Sequence, residues 1–151
     1  MGKKHVATQN KEELLKEGAA VEAKVKKEFT VKNIPSRSRQ GKVYISSSYN
    51  NTIISLSDDG GNILCWKSSG SIGFKGTKKG TPFAASKVAE AVAEIVKKMA
   101  IEKVQVMVKG IGSGRDSAVR SLAARGIDIV SIKDITPIPH NGCRPRKTRR
   151  V

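Results

Sequence analysis

The sequence predicts a single three-layer α/β domain on a mixed five-stranded sheet, with its elements in the order β-β-β-α-β-α-β. Two observations carry this prediction. Apolar residues alternate with polar ones in short segments, and elsewhere they recur at helical spacing. A chain of 151 residues is long enough for one domain with a hydrophobic core. We assign residues 41–139 to this α/β core, residues 1–40 to an N-terminal extension and residues 140–151 to a basic C-terminal tail.

The extension carries a weak helix signal. Asn10 and Glu13 form a capping-box pattern. Gly18 weakens the helix prediction, and the apolar residues that support it are Leu14, Leu15, Val21 and Val25. Its five Glu residues argue against an organellar transit peptide, which would be poor in acids. We expect this piece to be partly helical or disordered.

The core begins with an antiparallel meander of three strands. Alternation of apolar and polar residues predicts strands over residues 42–49, 52–57 and 62–67. Asn50 and Asn51 turn the chain after the first strand, and residues 58–61, Asp-Asp-Gly-Gly, are a strong hairpin signal after the second. Cys65 lies in an apolar run and is expected to be a small core thiol.

Two crossover units follow the meander. Thr81 as N-cap and Pro82 at the first helical position predict a helix that runs to about residue 100. A strand over residues 103–109 comes next. A short helix then follows Gly114, with Val119, Leu122 and Ala123 on its buried side, and Gly126 ends it. The last strand has apolar residues on both sides, which predicts that it is buried on both faces: Ile127, Ile129, Val130, Ile132 and Ile135.

Charge is the dominant feature of the composition. Lys and Arg number 29 against 13 Asp and Glu, which gives a net charge of +16. Most of this excess lies in three segments without acids, at residues 29–42, 67–81 and 144–150. Because such charge is usually retained for an anionic partner, nucleic acid and anionic membranes are the candidates. No apolar stretch approaches the length of a membrane-spanning helix, and no apolar segment of the signal-peptide type is found, so we expect neither membrane insertion nor secretion.

Metal and nucleotide sites are not indicated. The two cysteines and two histidines lack the spacing of a zinc site. The glycine-rich turn at residues 110–114 has Arg115 where a dinucleotide fingerprint requires its third glycine. What remains at this turn is a helix N-terminus beside an arginine, which favours contact with a phosphate. We therefore predict no cofactor, no metal and no small-molecule substrate.

The predicted strand order resembles that of ribonuclease H-like nucleases, which hold divalent ions with clustered carboxylates. The first strand here has no acid. Asp58 and Asp59 are explained by a turn, and Asp116 by a helix N-terminus. The sequence therefore predicts a protein without catalytic residues. Few aromatic residues are available to stack on bases, so we expect recognition through phosphates and sugars.

Three motifs carry a specific resemblance. The runs that begin at Phe74 (FKGTKKGTPFAA), Gly112 (GSGRDSAVR) and Asp134 (DITPIPHNGCRP) are similar to those of the small-subunit ribosomal protein eleven family, bacterial type. The resemblance covers residues 41–151. It implies a cytoplasmic protein of the small ribosomal subunit that binds 16S rRNA on the platform. It also implies a position near the mRNA exit and the Shine–Dalgarno cleft, next to small-subunit proteins seven and eighteen. Two features depart from the family pattern: the long extension, and Arg146 where a second proline is common.

We interpret the chain as a non-catalytic rRNA-binding protein without a membrane partner. The alternatives are an architectural DNA-binding protein, another basic RNA-binding protein outside the ribosome, or a protein of anionic membranes. Asn141 precedes Gly142 in the tail and is a candidate for deamidation. The predicted RNA-binding residues are Lys67, Lys75, Lys78, Lys79, Arg115, Arg120, Arg144, Arg146, Lys147, Arg149 and Arg150.

Overall fold

The computed structural model of the protein describes residues 40–144, 146 and 147. The predicted helix signal in the extension, and the tail residues Arg149 and Arg150, lie outside the described residues. The elements occur in the predicted order, with a short 3-10 helix added at Gly76–Gly80. They are β1 Gln40–Ser47, β2 Thr52–Ser57, β3 Ile63–Ser68, α1 Pro82–Lys98, β4 Lys103–Lys109, α2 Gly114–Ala124 and β5 Asp128–Asp134.

The five strands form one mixed sheet in the order β3-β2-β1-β4-β5. β1 is central. It pairs antiparallel with β2, which pairs antiparallel with β3, and this confirms the predicted meander. On its other side β1 pairs parallel with β4, which pairs parallel with β5. Four of the strands therefore run in the same direction, with β2 reversed.

The hydrophobic core lies between one face of the sheet and both helices. Val43 of β1 is fully buried and is flanked across the sheet by Leu56 and Val106, which are also buried. Val88 from α1 and Leu122 from α2 pack into the same cluster. Since both helices cover the same face, the described domain has two layers. The third layer that we predicted is not found among residues 40–144, 146 and 147.

The helix boundaries follow from local sequence. The Thr81 side chain accepts a hydrogen bond from the backbone N–H of Ala84 at 3.2 Å, and Pro82 occupies the first turn, as predicted. Gly126 has a φ of 75° directly after α2, a left-handed conformation that ends the helix. On α2, Leu122 is buried as predicted, whereas Ala123 is exposed.

The prediction for β5 was wrong in one respect. β5 pairs with β4 on one side only and is the edge strand of the sheet. Its side chains Val130 and Ile132 are 57% and 60% exposed, although we predicted burial on both faces. A continuous apolar run predicts a strand but not its position in the sheet, because strand order is set by the pairing of distant segments.

Candidate nucleic-acid interface

The loops that follow β1, β3 and β4, and the exit from β5, gather at one end of the sheet because these four strands are parallel. This end carries the glycine- and lysine-rich segment of residues 69–81 and the root of the C-terminal tail. We call it the basic end. These segments lie far apart in the sequence, and the sheet brings them together.

The three loops are joined by hydrogen bonds. The hydroxyl of Ser69, which is fully buried, lies 2.9 Å from the carbonyl oxygen of Lys79 and 2.5 Å from Oδ1 of Asn51. The hydroxyl of Ser113 donates to the carbonyl oxygen of Gly80 at 2.9 Å. These bonds fix the backbone that carries the lysines, so the segment is held against the neighbouring loops.

Close packing also requires glycine at the junction. A Cβ atom at Gly80 would overlap the carbonyl group of Tyr49 in the β1–β2 turn. At Gly110, a Cβ would overlap the carbonyl group of Ser47, and the φ of 102° disfavours any other residue. The glycines thus let the loops touch, which a sequence pattern of scattered glycines does not reveal.

The predicted lysines take different positions at this end. Lys75 and Lys78 are exposed, and Lys79 is half-buried, all on the loop that includes the 3-10 helix. Lys67 belongs to β3 and is paired with Ile54, whose side chain is buried under the helices. The Lys67 side chain therefore lies on the edge strand β3, on the face of the sheet that the helices cover, and not on the lysine-rich loop.

Arg115 is anchored at the start of α2. Its guanidinium donates to the carbonyl oxygen of Gly110 at 2.8 Å and to the Asp134 carboxylate at 2.5 Å. Hydrogen bonds from Thr136 and from Arg115 hold the pKa of Asp134 well below its usual range, and the bond to Asp134 raises the pKa of Arg115. Both groups are therefore charged at neutral pH. Much of the charge of Arg115 is already matched, which the sequence did not indicate.

Asp134 and Gly110 also bond to Thr136 and so fix the backbone where the chain leaves β5. The hydroxyl of Thr136 lies 2.6 Å from the Asp134 carboxylate and accepts a hydrogen bond from the backbone N–H of Gly110 at 3.0 Å. The N–H of Ile135 donates to the carbonyl oxygen of Val108 at 2.8 Å. The tail thus leaves the domain from a fixed point beside the glycine-rich turn.

Arg120 lies on α2, beside an open groove of about 440 Å³ between the two helices. Ser86, Ser113, Asp116 and Ser117 line the groove with it. Ser113 is also the residue that bonds to the lysine-rich loop, so the groove borders the basic end.

The described part of the tail is exposed throughout. Arg144, Arg146 and Lys147 have exposed side chains, and Asn141 adopts a left-handed backbone conformation with a φ of 55°. This turn redirects the chain just before the arginines. Exposed cations on a segment rooted at the basic end are suited to contact phosphates.

Two further carboxylates in the described residues, Asp58 and Glu90, make local contacts. Asp58 accepts hydrogen bonds from the backbone and side chain of Asn62 in the β2–β3 turn. Burial raises the pKa of Glu90, but hydrogen bonds from Lys87 and Arg125 outweigh it, and the pKa lies below its ordinary value. Within the described ranges, no group of three His, Cys, Asp or Glu side chains is placed to hold a metal ion. None of the helices described is long and apolar enough to cross a membrane.

Comparison with known proteins adds an independent result. Residues 41–150 match the sequence model of a family described as Ribosomal protein S11. The small ribosomal subunit protein uS11c of Cyanidioschyzon merolae is 55% identical over 113 residues, which cover 75% of this chain and 93% of the relative. The small ribosomal subunit protein uS11 of Treponema pallidum (strain Nichols) is 56% identical over 112 residues, which cover 74% of this chain and 89% of the relative.

Proposed function

The chain belongs to the ribosomal protein S11 family, and from this premise we propose that it binds 16S rRNA through the basic end of its sheet. Membership makes it a constituent of the small ribosomal subunit, which confirms the predicted family and cytoplasmic, ribosomal location. The prediction of a non-enzymatic protein is confirmed by the same relatives, which are named as small-subunit proteins.

The observation that carries the proposal is the gathering of separate basic segments at one end of a folded domain. Lys75 and Lys78 are exposed on a loop that is held by hydrogen bonds, and the tail leaves the domain from a fixed point at the same end. Arg120 lines a groove together with Ser113, the residue that is bonded to this loop. Charges scattered for solubility would not collect in this way. Several basic segments held at fixed separations can engage phosphates of more than one RNA helix at once.

Within the subunit, we place the protein on the platform, where it bridges several 16S rRNA helices near the mRNA exit and the Shine–Dalgarno cleft. Small-subunit ribosomal proteins seven and eighteen are its proposed neighbours. Three motifs that resemble the family pattern support these details: the lysine-rich loop, the start of α2 and the tail motif.

A competition assay tests the RNA preference. The labelled complex of the full chain with small-subunit rRNA is challenged with unlabelled rRNA, duplex DNA of equal phosphate content, and anionic vesicles. We expect rRNA to compete best, and the log of affinity to fall linearly with log salt by about 0.7–0.9 per phosphate neutralised. Equal competition by DNA or vesicles, or a salt slope near zero, would overturn the proposal.

Co-sedimentation with ribosomal subunits tests the same proposal in cell extracts. We expect the protein to remain with small ribosomal subunits after a wash at a salt concentration that removes loosely bound basic proteins. If the wash releases all of the protein at the salt concentration that releases an added polycation, specific binding to the subunit is contradicted.

Arg115 has a role that can be separated from direct phosphate contact. We propose that it positions the tail through Asp134. Asp134→Asn makes the protein more positive, so electrostatic attraction alone predicts tighter RNA binding, whereas loss of positioning predicts weaker binding. We expect weaker binding for Asp134→Asn. For Arg115→Gln, we also expect a loss of affinity. The slope of log affinity against log salt should fall by less than about 0.7, which is the value for the loss of one phosphate contact.

Two results together would contradict the positioning role. Asp134→Asn would bind RNA more tightly, and Arg115→Gln would lower the slope of log affinity against log salt by the full 0.7 or so of one phosphate contact. In that case Arg115 acts on phosphate directly. Arg115→Lys is a matched variant, because it keeps the charge but loses the paired donors that reach Gly110 and Asp134 together. A positioning role predicts that lysine does not restore the affinity.

A further inference from the structure

The basic end carries exposed apolar side chains among its cations. Tyr49 in the β1–β2 turn is 75% exposed, Phe83 in the first turn of α1 is 63% exposed, and Ile111 in the glycine-rich turn is 62% exposed. Single exposed apolar side chains are common on protein surfaces, so exposure alone does not indicate a site. These three, however, belong to neighbouring segments that meet at one end of the sheet.

Tyr49 lies where these segments meet. Its carbonyl group packs against Gly80, at the end of the lysine-rich loop, and the carbonyl group of Ser48 packs against Gly112. The turn is closed by a hydrogen bond from the N–H of Ser48 to the carbonyl oxygen of Asn51 at 2.9 Å. The backbone of Tyr49 is therefore fixed between the lysine-rich loop and the glycine-rich turn, while its side chain is exposed.

The ring of Tyr49 is less engaged than the other exposed ring at this end. Phe83 packs edge to face with Phe74, with the ring centroids 5.9 Å apart, and Nζ of Lys87 lies 5.8 Å from the centroid of the Phe83 ring. Within the described ranges, no contact of either kind involves Tyr49. Its ring is therefore available to a planar ligand.

A flat ring among cations matches the chemistry of an unpaired nucleotide. The face of a base stacks on aromatic side chains, and the phosphate that follows it is an anion. Lys75 and Lys78 are exposed on the loop that packs against Tyr49, and residues 67–81 contain no acid to repel a phosphate. A purely apolar partner would cover the ring but would remove water from the lysines without replacing it.

We propose that Tyr49 stacks on an unpaired base of the small-subunit rRNA, while the lysine-rich loop contacts the adjoining phosphates. The base must be unpaired, because bases within a duplex are already stacked on their neighbours. This contact presupposes the proposed RNA binding by the basic end, and it makes RNA loops or bulges the preferred substrate over continuous duplex. Composition led us to expect recognition through phosphates and sugars, and Tyr49 adds a contact to a base.

Replacement of Tyr49 by leucine separates stacking from phosphate contact. Tyr49→Leu keeps the net charge and an apolar side chain but removes the flat ring. Loss of one stacked base should lower the affinity of the full chain for small-subunit rRNA roughly 5- to 100-fold. The slope of log affinity against log salt should stay the same, because no phosphate contact is lost. Tyr49→Phe keeps the ring and should bind as tightly as the wild type.

Two model RNAs with equal numbers of phosphates test the preferred substrate: a hairpin with a single-stranded loop, and a blunt duplex. Stacking on aromatic side chains tolerates any base, so the loop needs no particular sequence. We expect the wild-type chain to prefer the hairpin and Tyr49→Leu to lose that preference. The matched control is Trp66→Leu, since Trp66 is 60% exposed but lies on a strand, on the face of the sheet opposite the helices. We expect this control to keep the preference.

Loss of stacking and loss of RNA binding give different results. A salt slope near zero for the wild-type chain would remove the proposed RNA binding itself. A normal wild-type slope with unchanged affinity for Tyr49→Leu would overturn the stacking alone, as would equal wild-type affinities for the hairpin and the duplex. A fall in slope of about 0.7 for Tyr49→Leu would overturn it too, because a phosphate contact would then have been lost with the ring.

Two further measurements protect the assignment to the ring. If Tyr49→Phe loses as much affinity as Tyr49→Leu, the contact belongs to the hydroxyl group and stacking is excluded. Thermal unfolding is followed by circular dichroism for every variant, so that a loss of affinity is not mistaken for unfolding. Tyr49→Ser, which suits an exposed turn, replaces the leucine variant if that one is unstable, with the same expected results.

Discussion

Neutralising the described cations of the tail should weaken RNA binding by an amount that the structure allows us to estimate. Arg144, Arg146 and Lys147 are exposed on a segment rooted at the basic end. If each meets one phosphate, their replacement by Gln lowers the slope of log affinity against log salt by about 2.1 to 2.7. Over a fourfold rise in salt, the wild-type complex then loses roughly 20- to 40-fold more affinity than the variant.

The same variant should leave the fold intact. Each exposed substitution away from packed features changes the free energy of unfolding by about 0.5 kcal/mol or less, so the three together change it by at most about 1.5 kcal/mol. For a domain of this size, that corresponds to a shift of Tm by at most about 6 °C. Binding is measured by fluorescence anisotropy at several salt concentrations, and unfolding by circular dichroism on the same preparations.

The control places the same loss of charge at the other end of the domain. Lys97 and Lys98 end α1, and Lys103 starts β4, and all three are exposed. Their replacement by Gln changes the net charge equally, so it reproduces any general loss of attraction. We expect its slope to change by less than one unit. Equal slopes for the two variants would refute placement of the RNA at the basic end, and a large fall in Tm for the tail variant would show that the tail is part of the fold.

Three further predictions concern single positions. Gly80→Ala should destabilise the domain by roughly 1–3 kcal/mol because its Cβ has no space, whereas Gly70→Ala in the same loop meets no atom nearer than 3.8 Å and should be tolerated in denaturant unfolding. Burial raises the pKa of Cys65 to about 11, so at neutral pH thiol reagents should label the exposed Cys143 far faster; equal rates by mass spectrometry would contradict this. Asn141 should deamidate in aged protein, and replacement of the following glycine by valine should slow it; intact Asn141 in peptide mass spectra would count against the prediction.

Local sequence was sufficient for most of the elements. Alternation of apolar and polar residues found the strands, because a strand with one buried face repeats every two residues. Thr81 and Pro82 placed the start of α1, since capping depends on residues close in the chain. The net charge and the tail motif identified the class of partner and the family, which need no coordinates.

Contacts between distant segments decided the rest. The sequence gives no sign that β5 is an edge strand or that both helices share one face, because these depend on strand order. Arg115 lies 19 residues from Asp134, and only the parallel pairing of β4 with β5 brings the two together. Periodicity reports which face of an element is apolar, whereas the folded sheet decides which apolar faces are covered and which charges are already paired.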